Sequence, residues 1–236
     1  MQHRGPIDVA FDSMPSIRLE SYSAAPDSDV RRRLAIATRR RRFSLREDWR
    51  ISLTDVGYSP ALNGTVEIPA KGGGDRTIVF DGASIPLPWL VSLLTIGILR
   101  PLGVMLVGSI VHDYAYQHGT LRIARDGRTF EAVPVPRHEA DALFRDIIGT
   151  VNGLPFVGRI GYFFVRIGWL WVRYDGKRFG GKAPVIELIA FAVLLLSLVW
   201  LCATFGTATI GGVAACLYAV LYLSSLSVAR PPRLDG

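Results

Sequence analysis

The sequence predicts a mainly α domain with small β hairpins, an α+β fold, followed by a C-terminal transmembrane helical hairpin. Three observations predict it. "RHEADALFRDIIGT", Arg137 to Thr150, places Ala140, Leu143, Phe144, Ile147 and Ile148 on one stripe of an amphipathic helix. Short runs such as "TVEIPA" and "LRIARDGRTFEAV" carry strand character around turn residues. Ala183 to Ala229 holds a single charged residue, Glu187.

The chain has 236 residues, half of them apolar, which suits one domain plus appendages. Four regions follow from the uneven composition. Residues 1–45 form an arginine-rich arm without periodicity, expected to be disordered. Residues 46–182 form a soluble α+β domain, 183–229 two membrane spans, and 230–236 a short tail. Much of the net charge of +7 lies in Arg31–Arg33, Arg39–Arg42 and the basic residues before the apolar tail. In a chain with such a tail these clusters suit anionic lipid headgroups, and no nucleic-acid partner is expected. Cys202 and Cys216 both lie in the tail, so they neither staple the domain nor supply a zinc thiolate site. The amino terminus is broken by charge and shows no signal-peptide core.

In chain order, "TVEIPA", the turn "KGGGD" and "RTIVF" read as a first hairpin between Trp49 and Phe80. "DGASIPLPWL" follows, with Pro86 and Pro88 suited to a helix start. Ile96 to Tyr116 is apolar and helical, and Leu121 to Val133 forms a second hairpin about Asp126–Gly127. Leu154 to Tyr174 mixes aromatics with spaced arginines. It suits either an interfacial helix or one packed on the domain with its arginines outward. A span needs roughly 20 apolar residues, and the tail supplies two, about Val185–Phe205 and Thr209–Val228. Arg166, Arg173, Lys177, Arg178 and Lys182 precede the first, and Arg230 and Arg233 follow the second. The positive-inside rule then places both termini and the domain on the cytoplasmic side of an inner membrane.

"SIVHDYAYQHG", Ser109 to Gly119, sets a base and a carboxylate side by side in an apolar helix, where burial is costly without partners. His112 shares a face with Tyr116 and with Gly108 or Ser109, while Asp113 points about a hundred degrees away. If the two helices pack antiparallel, Asp141 can accept the imidazole N–H and leave the other nitrogen as a general base for water. Asp113 could offer oxygens to a hard cation such as calcium, with Asp81 and the Gly82–Ala83 carbonyls completing the shell. A metal-dependent phosphohydrolase would need a further upstream histidine, and only His3 precedes His112. His118 and His138 sit at element ends, and "KGGGD" lacks the lysine and helix of a phosphate loop.

"FDGASIP", "VHDYAY" and "R-x-E-A-D-A-L-F" in that order resemble an uncharacterised family of small bacterial and phage proteins, over roughly Glu67 to Phe179. "HDYAY" is also similar to the "HDxCY" helix motif of phospholipase A2 enzymes. That resemblance implies that His112 activates water, Asp113 binds calcium, and Leu121–Val133 forms a β-wing. It further implies that Asp141 orients His112 and that Tyr116 hydrogen-bonds Asp141. Ala115 stands where disulfide-bonded members carry Cys, and "DGASIP" would have to serve as the calcium loop.

The function expected is a membrane-anchored, calcium-dependent hydrolase of phospholipase A2 type acting on membrane phospholipid. The alternative is a non-catalytic, membrane-associated scaffold of phage or prophage origin. Access separates them: a catalytic His112 lines a groove, whereas a structural one is sealed and fully paired.

Overall fold

The structure, a computed structural model, describes residues 7–19, 43–72, 78–80, 105–126, 128–170, 172–177, 181–206 and 212. Several sequence expectations fall outside them: Asp81, Gly82 and Ala83, both arginine clusters, the start of the Ile96 helix, and all of the second span except Gly212. The chain divides into two compact units, Met1–Lys182 and Ala183–Gly236.

Among the described residues of the first unit eight strands form two antiparallel sheets. The larger runs β1-β4-β5-β7-β8, from Asp8–Ala10 (β1), Trp49–Thr54 (β4), Gly64–Ile68 (β5), Thr120–Ala124 (β7) and Glu131–Pro134 (β8). The smaller runs β2-β3-β6, from Ile17–Leu19 (β2), Phe43–Leu45 (β3) and Val79–Phe80 (β6). β4 shows the period of a half-buried strand, with Trp49, Ile51 and Leu53 in the core and Arg50 and Thr54 exposed. Among the described residues of this unit three α-helices join the sheets: Leu106–His118 (α1), Arg137–Asn152 (α2) and Pro155–Ile167 (α3). α1 and α2 end on left-handed Gly119 and Gly153, the ordinary glycine stop. The α2 stripe of Ala140, Leu143, Phe144, Ile147 and Ile148 is buried throughout.

The first unit is a mixed α+β fold, as expected, but with a five-stranded antiparallel sheet where small hairpins on a mainly helical body were expected. Within residues 1–45, β1, β2 and β3 are ordered through partners far away in sequence, Asp8 opposite Thr54 and Phe43 opposite Phe80. The first hairpin is also re-paired. β5 is a central strand whose two edges go to β4 and β7, while β6 pairs with β3. The segments expected to form that hairpin meet through Ile78 N–H donating to the Ala70 carbonyl at 3.2 Å. The second hairpin is found, with Leu121 opposite Val133.

In the second unit, Val185–Phe205 (α4) is a 21-residue helix. Among the described residues it is the one helix long and apolar enough to cross a membrane. Its large side chains, such as Ile186, Leu196 and Trp200, are mostly exposed.

A buried histidine–aspartate site between two helices

α1 and α2 flank the β7–β8 hairpin in sequence and pack on one another, which brings His112, Tyr116 and Asp141 together. His112 Nε2 lies 3.0 Å from Asp141 Oδ1, and the Tyr116 hydroxyl donates to the same oxygen at 2.5 Å. The His112 ring packs against the rings of Tyr116, at 4.0 Å between centroids, and Phe144, at 5.0 Å. All of this is interior: His112 is 3% exposed and Asp141 0%.

Two arginines that sequence reasoning did not assign to the site complete it. Arg166, from the last turn of α3, donates from Nη1 to Asp141 Oδ2 at 3.2 Å and from Nη2 to the Lys182 carbonyl at 3.3 Å. Arg137 donates from Nε to the Tyr116 hydroxyl at 3.0 Å and from Nη1 to the Val172 carbonyl at 3.1 Å. A signal for Arg137 was present, since it lies one helical turn before Asp141 and so on the same face. Arg166 gave a misleading one. Counted by sequence among the charges flanking the span, it is 5% exposed and spent on Asp141. α3 packs on α2, with Gly158, Gly161 and Val165 in the contact, so of the two expectations for this segment the packed helix is the one seen. Arg159 does point outward.

These contacts set the protonation states. Burial alone would raise the Asp141 pKa, but the donors from His112 and Tyr116 and the Arg166 charge outweigh it and hold it below 3.8. Burial and the Asp141 charge push the Tyr116 phenol well up, so it remains a donor. Burial lowers the proton affinity of His112, but Asp113 and Asp141 more than offset it, leaving its pKa above 6.5. An ionised carboxylate only accepts, so Nε2 carries the proton facing Asp141. In neutral His112 the lone pair is then on Nδ1. That atom is buried and has no hydrogen-bond partner among the described residues. Asp113 Oδ1 stands 3.6 Å from it, an ion-pair distance longer than a hydrogen bond.

Residues 55–165 match the family described as "Protein of unknown function (DUF1353)". Over those residues the chain is similar to that family. The DUF1353 match takes in Asp81, Gly82, His112, Asp113, Tyr116, Arg137 and Asp141, and it stops one residue short of Arg166. It begins upstream of the Glu67 boundary expected from sequence and ends before Phe179. No curated protein and no solved structure matches the chain.

The calcium expectation meets an incomplete set. A calcium shell takes six to eight oxygens. Among the described residues no three His, Cys, Asp or Glu side chains converge on a metal-sized site. Of the expected ligands, Asp113 is beside His112, while Asp81 and Gly82 lie outside the described residues. The described residues do not by themselves form the shell, and no step below runs through a metal.

Proposed function

We propose that His112 is the general base of a membrane-held lipid-ester hydrolase of phospholipase A2 type. The observation that carries this reading is the divided imidazole, with Nε2 bound to Asp141 and Nδ1 buried without a hydrogen-bond partner. Most buried polar atoms find a partner, so a histidine serving packing alone would be expected to satisfy both nitrogens. In the proposed reaction Nδ1 takes a proton from water as its oxygen adds to the ester carbonyl. The tetrahedral adduct collapses, the C–O bond to the glycerol breaks, and the leaving alkoxide takes the proton back from Nδ1. The products are a fatty acid and a lysophospholipid. Asp141 stays ionised and stabilises the passing imidazolium, while Tyr116 and Arg166 hold Asp141 in place.

Calcium enters this proposal through Asp113, Asp81 and the Gly82 carbonyl, where it would polarise the ester carbonyl. The apolar α4 supports a lipid substrate. With it we propose attachment to an inner membrane by a helical hairpin, with the domain and both termini cytoplasmic and the arginine arm on anionic headgroups.

Burial favours a second reading. With His112 3% exposed and Asp141 0%, the same network could lock α1, α2 and α3 together in a non-catalytic, membrane-associated scaffold of phage origin. Fatty-acid release from a labelled phospholipid in mixed micelles, with calcium or with chelator, separates the two. Release by the wild type that is lost in a folded His112→Gln variant is the result expected of the hydrolase. An inert wild type, together with a variant that melts far lower, would replace the hydrolase with the scaffold.

A further inference from the structure

Ser109 Oγ is the second polar atom of α1 that is buried without a hydrogen-bond partner among the described residues. Ser109 is 0% exposed, and it lies three residues before His112 and four before Asp113. Helical side chains lean toward the N-terminus and over the turn below, so the His112 ring and the Asp113 carboxylate both lean over the turn that Ser109 starts. A buried helical serine ordinarily donates back to the carbonyl four residues earlier. Here the Met105 carbonyl accepts the backbone N–H of Ser109 at 2.8 Å, and Oγ makes no such bond. His112 Nδ1 and Asp113 Oδ1 stand 3.6 Å apart, an ion-pair contact longer than a hydrogen bond, which one water beside the pair can bridge.

We infer that Ser109 Oγ, His112 Nδ1 and the Asp113 carboxylate enclose one bound water molecule, and that Ser109 is the residue that positions it. A buried water needs two to four polar partners, and these three atoms supply them within one helical turn. The water donates to the Nδ1 lone pair and exchanges hydrogen bonds with Oγ and Asp113. Its use as the attacking nucleophile rests on the hydrolase reading, whereas its presence does not.

The test compares the full-length wild type with Ser109→Ala and Ser109→Cys. Atomic-resolution crystal structures should show one water within hydrogen-bond distance of Ser109 Oγ and His112 Nδ1 in the wild type, retained on His112 Nδ1 in Ser109→Cys and lost in Ser109→Ala. With 15N-labelled histidine at one fixed pH, the Nδ1 resonance of His112 should move in Ser109→Ala while Nε2, still on Asp141, stays. Melting temperature should change little, because Oγ has no protein partner to lose. In the micelle assay Ser109→Ala should lower kcat about tenfold with KM unchanged, the scale of one lost hydrogen bond of about 1.4 kcal/mol. An Oγ bonded to the Met105 carbonyl, a direct Asp113–Nδ1 bond with no water, or an unmoved Nδ1 resonance would each overturn the inference. A wild type inert toward lipid sinks only the hydrolase, since the water and the Nδ1 resonance are read without turnover.

Discussion

Asp141 gathers donors from three residues onto two oxygens, so the site depends on its charge more than on any other single group. Asp141→Asn keeps the shape but leaves Arg166 charged and buried without its counter-ion, which should cost about 3–5 kcal/mol. The amide also offers N–H where the carboxylate accepted, which favours the wrong histidine tautomer. Hydrolysis should therefore fall by about 10²-fold or more even in molecules that remain folded. Chemical denaturation and micelle turnover measure the two effects, and near-wild-type stability would show that Arg166 does not depend on Asp141. The pH dependence runs in two directions. His112 has its folded pKa raised above 6.5, so its contribution to stability is complete below 6.5 and is lost as pH rises through the folded value. Asp141 has its pKa lowered from 3.8, so its contribution is complete above 3.8 and is lost as pH falls through the folded value. Calorimetry in chelator should then place the best stability from these two groups between 3.8 and 6.5, with an alkaline decline that His112→Gln removes. Turnover should move the other way, because the base must be neutral: kcat rises with pH through the folded value above 6.5. An alkaline decline that survives in His112→Gln would assign it to another group.

At the scale of elements, the site is held by the close approach of α2 and α3. A Cβ built on Gly158 would lie 2.4 Å from the Arg145 carbonyl oxygen, and one on Gly161 2.9 Å from the Phe144 ring. Gly158→Ala must push α3 away from α2, which should cost about 1–3 kcal/mol and draw Arg166 off Asp141. Gly57, with nothing within 4 Å of its added Cβ, is the control and should tolerate alanine. Thermal melts of both variants check the stability difference, and the His112 ring resonances report whether Arg166 has moved. Equal melting temperatures would mean that α3 is not seated through its glycines. The same elements show what the sequence could reveal. α2 was legible because five apolar residues recur at helical spacing, and β7–β8 because its partners are neighbours in sequence. The His112–Asp141 pairing was legible once those two helices were fixed around one hairpin. β1, β2 and β3 were not, since three residues carry no period and their pairing is decided by strands far along the chain. Glu67 shows the same limit. It joins Arg50 at 2.9 Å and Arg122 at 3.2 Å across three strands, a triad that exists only once β5 is central. Arg166 was misread because an arginine near an apolar tail looks like a flank until a carboxylate from another helix is placed against it.

For the whole molecule, the two units pose opposite physical problems. Among its described residues the first buries its apolar side chains around its sheets and helices, and it places even the charged residues Arg137, Asp141 and Arg166 in the interior with partners. The second exposes a helix of 21 residues whose only charge, Glu187, is in its first turn. Water penalises such a surface by roughly 25 cal/mol per Å² of apolar area, and a helix of this length matches the hydrocarbon thickness of a bilayer. The boundary at Lys182–Ala183 therefore separates a body with its own buried core from a segment whose described helix is long and apolar enough to cross a membrane. A chain ending at Lys182 should be recovered in the soluble fraction with the melting behaviour of its own core, while the full chain should sediment with membranes and resist alkaline carbonate. Replacing Leu195 and Leu196 with arginine in the full chain should release it, because each charge near the middle of a span costs about 2.5–3.5 kcal/mol on insertion scales. If the full chain is washed from membranes by carbonate, α4 lies on the bilayer or packs against protein, and the lipid substrate loses its main support. If instead the chain ending at Lys182 still sediments with membranes, a lipid-binding surface lies within the first unit, and the phospholipid reading gains a second foothold beside His112.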